Sequence, residues 1–181
     1  MQEPGEDPLW ANVTPDTIVV AQTGGVKSFD ITSNIDWVLS APSWITIPFT
    51  SSGSGNATVE MMVGANSTYS SRIGYIYVMR NDVEMARVVV VQEGVAPVLA
   101  ADVEEIIFTR EGGAQNFNLM SNISWTISTT ADWLSYEPLG GAGNAEVLVK
   151  AEPLGGTLER EAVLVIRGMS QVVNIIVRQT N

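Results

Sequence analysis

The 181-residue chain has no cysteine and no histidine. That excludes disulfides, thiolate chemistry, zinc sites of the usual Cys/His kind and histidine acid–base catalysis. Cations are scarce. Nine Lys and Arg face twenty Asp and Glu, a formal charge of −11 that divides into −6 for residues 1–94 and −5 for residues 95–181. Without a basic patch, nucleic acid and anionic lipid are poor partners, because both need clustered Lys and Arg. No apolar run approaches the ~18 residues of a membrane span. The opening "MQEPGEDPLW" has neither the basic nor the apolar region of a signal peptide. Residues 1–7 read as an acidic lead-in, and Met1 is expected to stand where an export signal has been removed.

Apolar residues make up 45% of the chain and charged residues 16%, so a core can form. Val is the commonest residue and Ile, Thr and Ser are abundant, which favours strands. The chain is also written twice. A shift of 88 residues lays Gly24-Gly25 on Gly112-Gly113, Phe29 on Phe117, and Ser33, Asn34, Ile35 and Trp37 on Ser121, Asn122, Ile123 and Trp125. It also lays Gly53, Gly55, Asn56, Ala57 and Val59 on Gly141, Gly143, Asn144, Ala145 and Val147, and Arg72 on Arg160. Trp44 matches Trp133, and Gln92 matches Gln179, each with a one-residue slip expected to fall in a loop. Such a period suits a small domain rather than a solenoid unit. The reading is a lead-in (1–7) and two tandem domains (8–94 and 95–181). They join through "EGVAPVLAA" (Glu93–Ala101), a short apolar segment that Pro97 stiffens.

Each repeat offers about seven short strands. In the first they are Thr17–Gln22, Val26–Thr32, Asp36–Ala41, Trp44–Pro48, Ala57–Ala65, Arg72–Arg80 and Glu84–Gln92. Alternation is clear at Phe29/Ile31 and Val59/Met61/Val63, and no helical apolar stripe is present. The predicted fold class is all-β: two tandem immunoglobulin-like β-sandwiches.

The runs "FDITSNIDW…W…GSGNATV…R…VVVVQEG" and "FNLMSNISW…W…GAGNAEV…R…IIVRQTN" resemble the BACON domain (Bacteroidetes-associated carbohydrate-binding, often N-terminal) over nearly the whole chain. The second copy departs only at its end, where Thr180-Asn181 replaces Glu-Gly. The resemblance implies an immunoglobulin-like sandwich in an exported, often lipid-anchored bacterial protein that accompanies glycan-processing or surface proteins. It carries over no binding residue.

Repeated tryptophans are best read as scaffold. Burying ~200 Å² of a Trp is worth about 5 kcal/mol, a large share of a small domain's net stability of ~5–15 kcal/mol. Trp37 and Trp125 are therefore assigned to the core. Trp44 and Trp133 follow a loop of variable length and stay open as ligand contacts. Better binding candidates are aromatics that do not repeat. Tyr75 and Tyr77 alternate along one strand and share a face, where Val163 and Val165 stand in the second copy; ordinary cross-strand packing is the other reading of the pair, and the favoured one. Tyr69 and Phe49 lie in or near loops, and Trp10, matching Leu99, reads as an anchor. Asn34 and Asn122 suit the turn before the Trp strand. The loops "SSGSGNA" and "LGGAGNA" lack the Lys and the following helix of a phosphate cradle and read as flexible hairpin connections. The acids (Asp102/Glu104/Glu105, Glu159/Glu161) read as a solvated face without a calcium-loop pattern or a recurring catalytic pair. Asp16-Thr17-Ile18 fits a short O-glycosylation pattern.

The expectation is thus a non-catalytic exported surface module associated with glycan binding or polysaccharide utilisation. The alternative is a spacer holding a partner domain away from the surface. No enzyme activity, cofactor or metal is expected. Expected partners are a polysaccharide or glycoprotein glycan and other surface proteins. The expected place is the cell surface, outer-membrane-anchored or periplasmic, with membrane contact only through an N-terminal lipid anchor outside this sequence.

Overall fold

The computed structural model describes residues 8–156 and 159–181, so the lead-in 1–7 lies outside the described residues. The chain forms two compact units, Met1–Ala96 and Pro97–Asn181. In the first unit the strands are β1 (Ala11–Thr14), β2 (Thr17–Val20), β3 (Gly25–Ser33), β4 (Asp36–Ser40), β5 (Ile45–Thr46), β6 (Ser52–Ser54), β7 (Ala57–Val63), β8 (Arg72–Arg80) and β9 (Val83–Gln92). In the second they are β10 (Leu99–Ala101), β11 (Glu105–Phe108), β12 (Gly113–Ser121), β13 (Ser124–Ser128), β14 (Leu134–Glu137), β15 (Gly140–Ala142), β16 (Ala145–Ala151), β17 (Arg160–Gly168) and β18 (Gln171–Gln179). No helix among the described residues is long and apolar enough to cross a membrane.

Each unit packs a four-stranded sheet on a five-stranded one. The orders are β1-β3-β7-β5 with β2-β9-β8-β4-β6, and β10-β12-β16-β14 with β11-β18-β17-β13-β15. The leading strand divides between the sheets. β1 pairs antiparallel with β3, and β2 then pairs parallel with β9. In the second unit β10 and β11 do the same. Alternation sets the core. Phe29, Ile31, Val59, Met61 and Val63 from one sheet meet Trp37, Ile76, Val78, Val88 and Val90 from the other, all nearly fully buried. Phe117, Leu119, Val147, Val149, Trp125, Leu164, Ile166, Ile175 and Val177 repeat this in the second unit.

The sequence predicts seven strands per repeat; β1 and β6 in the first unit, and β10 and β15 in the second, come in addition. These strands are short, and "SGS" and "GGA" show no apolar alternation. Their glycines have another task. A Cβ on Gly53 would stand 2.6 Å from Trp37 Cζ2, and one on Gly141 would stand 3.0 Å from Trp125 Cζ2. The strand lies flat on the indole because it has no side chain there.

The expected flexible connections are instead pinned. Trp37 donates from Nε1 to the Gly55 carbonyl (2.9 Å), Ser33 Oγ donates to the same oxygen (2.9 Å), and Asn56 Oδ1 accepts from the Ser33 amide (3.0 Å). Trp125 Nε1 to Gly143 O (2.8 Å) and the Ser121 amide to Asn144 Oδ1 (2.9 Å) repeat the arrangement. The "SNxxW" and "GxGN" stretches are thus one hydrogen-bonded assembly that satisfies the polar end of a buried indole. Asn34 and Asn122 secure the incoming chain. Asn34 Oδ1 accepts from the Trp10 amide and its Nδ2 donates to Pro8 O, while Asn122 Oδ1 accepts from the Val98 amide.

The slip that offsets Gln92 from Gln179 is not in a loop. Val78 pairs with Ala86 and Met79 with Glu84, which skips Met85, whereas the β17–β18 ladder runs unbroken. The first unit carries one bulged residue within a strand.

Gly53→Ala is expected to cost about 1–3 kcal/mol by overpacking a ring that cannot move. Gly141→Ala should cost less, because its Cβ contact is longer. Urea midpoints of the two variants would check the order; equal, negligible losses would refute it.

Candidate functional site

Two arrangements bear on ligand binding. One surrounds the second tryptophan of each repeat. Gln92, fully buried at the end of β9, donates from Nε2 to the carbonyls of Ala21 (3.2 Å), Gln22 (3.3 Å) and Gly64 (2.9 Å). Its Oε1 accepts from Arg72 Nε (2.9 Å), and Arg72 Nη2 donates to Gly64 O and Ala65 O. The guanidinium so fixed lies over the Trp44 ring, 4.3 Å from its centroid, in cation–π contact. The ring also lies against β8, where a Cβ on Gly74 would meet Cζ2 at 2.5 Å. The second unit repeats this with Gln179, Arg160 and Trp133, again at 4.3 Å. Trp133 is only 9% exposed and Trp44 is half-buried. A sugar stacking on the guanidinium-covered face of either ring would have to displace an arginine held by at least three hydrogen bonds.

The other arrangement is the outer face of the five-stranded sheet in the first unit. Tyr75 is 39% exposed and Tyr77 half-buried, with ring centroids 5.9 Å apart and ring planes at 32°. The ladder fixes their neighbours. Thr17 and Val89 lie in line with Tyr75, Arg87 and Ser40 flank Tyr77, and Met79 stands opposite Val38. One row further, Val19, Val91 and Ile73 lie side by side. Val19 is 61%, Ile73 59% and Val38 57% exposed. Arg87, bound to Glu84 at 2.9 Å, stands 5.6 Å over the Tyr75 ring. At the Asn81-Asp82 turn, whose residues both have positive φ, a shallow depression of about 450 Å³ is lined by Val38, Ser40, Met79, Asn81 and Asp82.

The equivalent face of the second unit is different. Arg178 sits where Val91 does and binds Glu161 (2.8 Å) and Glu105 (2.6 Å), which replace Ile73 and Thr17. The hydrogen bond to Glu161 and the charge of Glu105 hold Arg178 still more firmly protonated than an ordinary arginine. Val163 and Val165 replace the tyrosines.

Of the sequence candidates, the structure brings Tyr75 and Tyr77 together. Tyr69 is exposed in the loop before β8, and Phe49 is exposed between β5 and β6; neither belongs to this face. Ser40, Arg87, Ile73, Val91 and Val19 complete the face and were not singled out from sequence. For Ile73 and Val91 the signal lies in the same comparison, since Glu161 and Arg178 stand there in the second copy; Ser40 and Val19, matched by Ser128 and Ile107, carry no such signal. Among the described residues, no cluster of three or more acidic side chains could hold a metal ion.

The architecture and the repeated Trp assemblies define a pair of immunoglobulin-like sandwich modules. The chain belongs to the family described as the viral BACON domain, whose model matches it twice, at residues 11–95 and 98–180. No curated protein matches it. Titin domains Z1Z2 in complex with telethonin share the fold at 9% identity and a TM-score of 0.50, covering 97% of this chain and 98% of theirs. Other similar structures are a Bacteroides ovatus GH5 xyloglucanase in complex with a heptasaccharide (22% identity, TM-score 0.44, 47% of this chain) and the Escherichia coli adhesin FdeC (14%, 0.38, 97% of this chain). This chain spans 19% of the xyloglucanase chain and 66% of the adhesin chain.

Gln92→Leu removes one amide from four partners, leaving Ala21 O, Gln22 O and Arg72 Nε without it. It should destabilise the first unit by about 2–4 kcal/mol, and Arg72→Lys should not hold the ring in place, because an ammonium cannot stack and fork together. Urea unfolding of both variants checks this; an unchanged midpoint for Gln92→Leu would refute the assignment.

Proposed function

We propose that the protein is a non-catalytic glycan-binding module displayed on a surface, with the Tyr75–Tyr77 face as its platform. One observation carries this: two neighbouring, solvent-facing aromatic rings on a sheet whose duplicate lacks them. Sugar rings present C–H faces that pack on aromatic planes, while their hydroxyls need nearby polar groups. Arg87 and Ser40 flank Tyr77 for that role. Family membership supports a surface setting, and its description as viral admits a particle surface as well as a bacterial cell surface. On this reading the partners are polysaccharide or glycoprotein glycans, export is required on the bacterial route, and any membrane contact is through a lipid anchor.

Tyr75→Ala/Tyr77→Ala is expected to lower retention on immobilised polysaccharide about tenfold or more, with a stability change under about 1 kcal/mol per site. Affinity electrophoresis with thermal unfolding would check both. Retention unchanged at an unchanged melting temperature would sink the reading.

A spacer without a ligand is the second reading, and the joint favours it. Val95 donates to Thr68 O within the first unit and Val98 donates to Asn122 Oδ1 within the second. Three residue steps separate these anchors, at most about 11 Å of chain. The spacer reading expects one rotational correlation time for both units by ¹⁵N relaxation, and two after a ten-residue Gly/Ser insertion following Ala96. Independent tumbling of the unmodified chain would count against it.

A further inference from the structure

Resting on the glycan reading above, we infer that the first unit's face takes an uncharged polysaccharide, laid along β8 from Tyr77 over Tyr75 towards Ile73, and that the second unit takes none. Electrostatics selects the ligand. The cation on this face, Arg87, is already neutralised by Glu84 at 2.9 Å. Residues 1–94 carry a formal charge of −6. Uronate or sulfate groups would find no unpaired guanidinium beside the rings and would meet a repulsive field.

The direction follows from where polar groups stand. Arg87 and Ser40 flank Tyr77 across the strands, while Asn81 and Asp82 lie just beyond it. Past Tyr75 the row is Val19, Val91 and Ile73, with no hydrogen-bonding side chain. A sugar at Tyr77 is held by its ring face and its hydroxyl edges. The next, at Tyr75, is held by the ring face opposite the Arg87 guanidinium. The chain beyond rests its C–H surface on aliphatic side chains, and a charged substituent there would be desolvated without a partner.

The second unit closes the same row with the Arg178–Glu161–Glu105 cluster and has no ring at either tyrosine position. It also supplies the test variant. Thr17→Glu/Ile73→Glu/Val91→Arg copies onto the first unit three residues that this scaffold already accommodates in its duplicate.

The full chain is run in native gels against neutral polysaccharides (a soluble glucan, a mannan, a xyloglucan) and acidic ones (polygalacturonate, alginate), at low and 1 M salt. Sedimentation velocity is measured in parallel. The expected result is retardation by a neutral polymer only, insensitive to salt, weakened about tenfold or more by Tyr75→Ala/Tyr77→Ala and also weakened by the triple variant. Salt-sensitive retardation by an acidic polymer that the tyrosine variant abolishes would overturn this inference and leave the platform standing. Neutral binding that the triple variant leaves unchanged would overturn the proposed path along Ile73. Retardation indifferent to the tyrosine variant, or none by any polymer, would overturn both readings. Self-association abolished by the triple variant would assign the face to a second copy of the chain and likewise overturn both.

Discussion

A buried amide closes one end of each sandwich, and the remaining architecture is arranged around it. Gln92 belongs to the five-stranded sheet, yet it donates to Gly64, which follows the last residue of β7 in the four-stranded sheet. It also donates to two carbonyls of the turn after β2. One side chain therefore ties β9 and its ladder partner β2 to the end of β7 in the other sheet, which no backbone ladder joins to them. Such a group is costly to bury unless every donor and acceptor is used. Arg72 completes it by supplying the donor for Oε1, and Trp44 covers the guanidinium. Amide, guanidinium and indole form a layered plug, polar within and apolar outside. Its recurrence as Gln179, Arg160 and Trp133 with the same 4.3 Å ring distance marks it as a requirement of the fold.

That requirement explains why the conspicuous tryptophans are poor ligand candidates. Trp37 and Trp125 have their polar atom bound and a glycine strand laid flat against them. Trp44 and Trp133 carry an arginine. The residues that a duplicate must keep to fold are consumed by folding. The outer face of β8 has no such duty, because its side chains touch only neighbours across the strands, and there the two copies have diverged from tyrosine and aliphatics to valine and an ion cluster.

Much of this was legible from sequence. The 88-residue echo, the alternation at Phe29/Ile31 and the shared "SNxxW" gave two all-β sandwiches and the first Trp as core. Less legible was anything resting on glycine or on long-range pairing. "SGS" has no apolar pattern, and its role follows only from the approach of Trp37, sixteen positions earlier. The alignment slip at Gln92 looked like a loop change because a bulge leaves no mark in composition. Tyr75 and Tyr77 stand out in the sequence as aromatics that fail to repeat. Ile73 and Val91 pass the same comparison, but aliphatic residues on a strand read as core until burial shows that they face water.

The bulge connects the scaffold to the face. In the second unit the β17–β18 ladder is regular to its two-residue turn. In the first, Met85 is an extra residue in β9, so every position from Ala86 onward is shifted relative to the tip of the hairpin. A bulge increases local right-handed twist, and this one lies one residue past Tyr77. Tyr77 and Tyr75 lie on β8 just before it, with ring planes 32° apart. Below the bulge Arg87 is the partner of Tyr77, and above it Glu84 is the partner of Met79, so the ion pair spans the irregularity. Removing Met85 would restore the regular ladder of the second unit without touching the Gln92–Arg72–Trp44 plug, which lies at the far end of the same strands. The bulge and the plug thus lie at opposite ends of one hairpin, and the outer face between them differs in the second unit while the fold is kept.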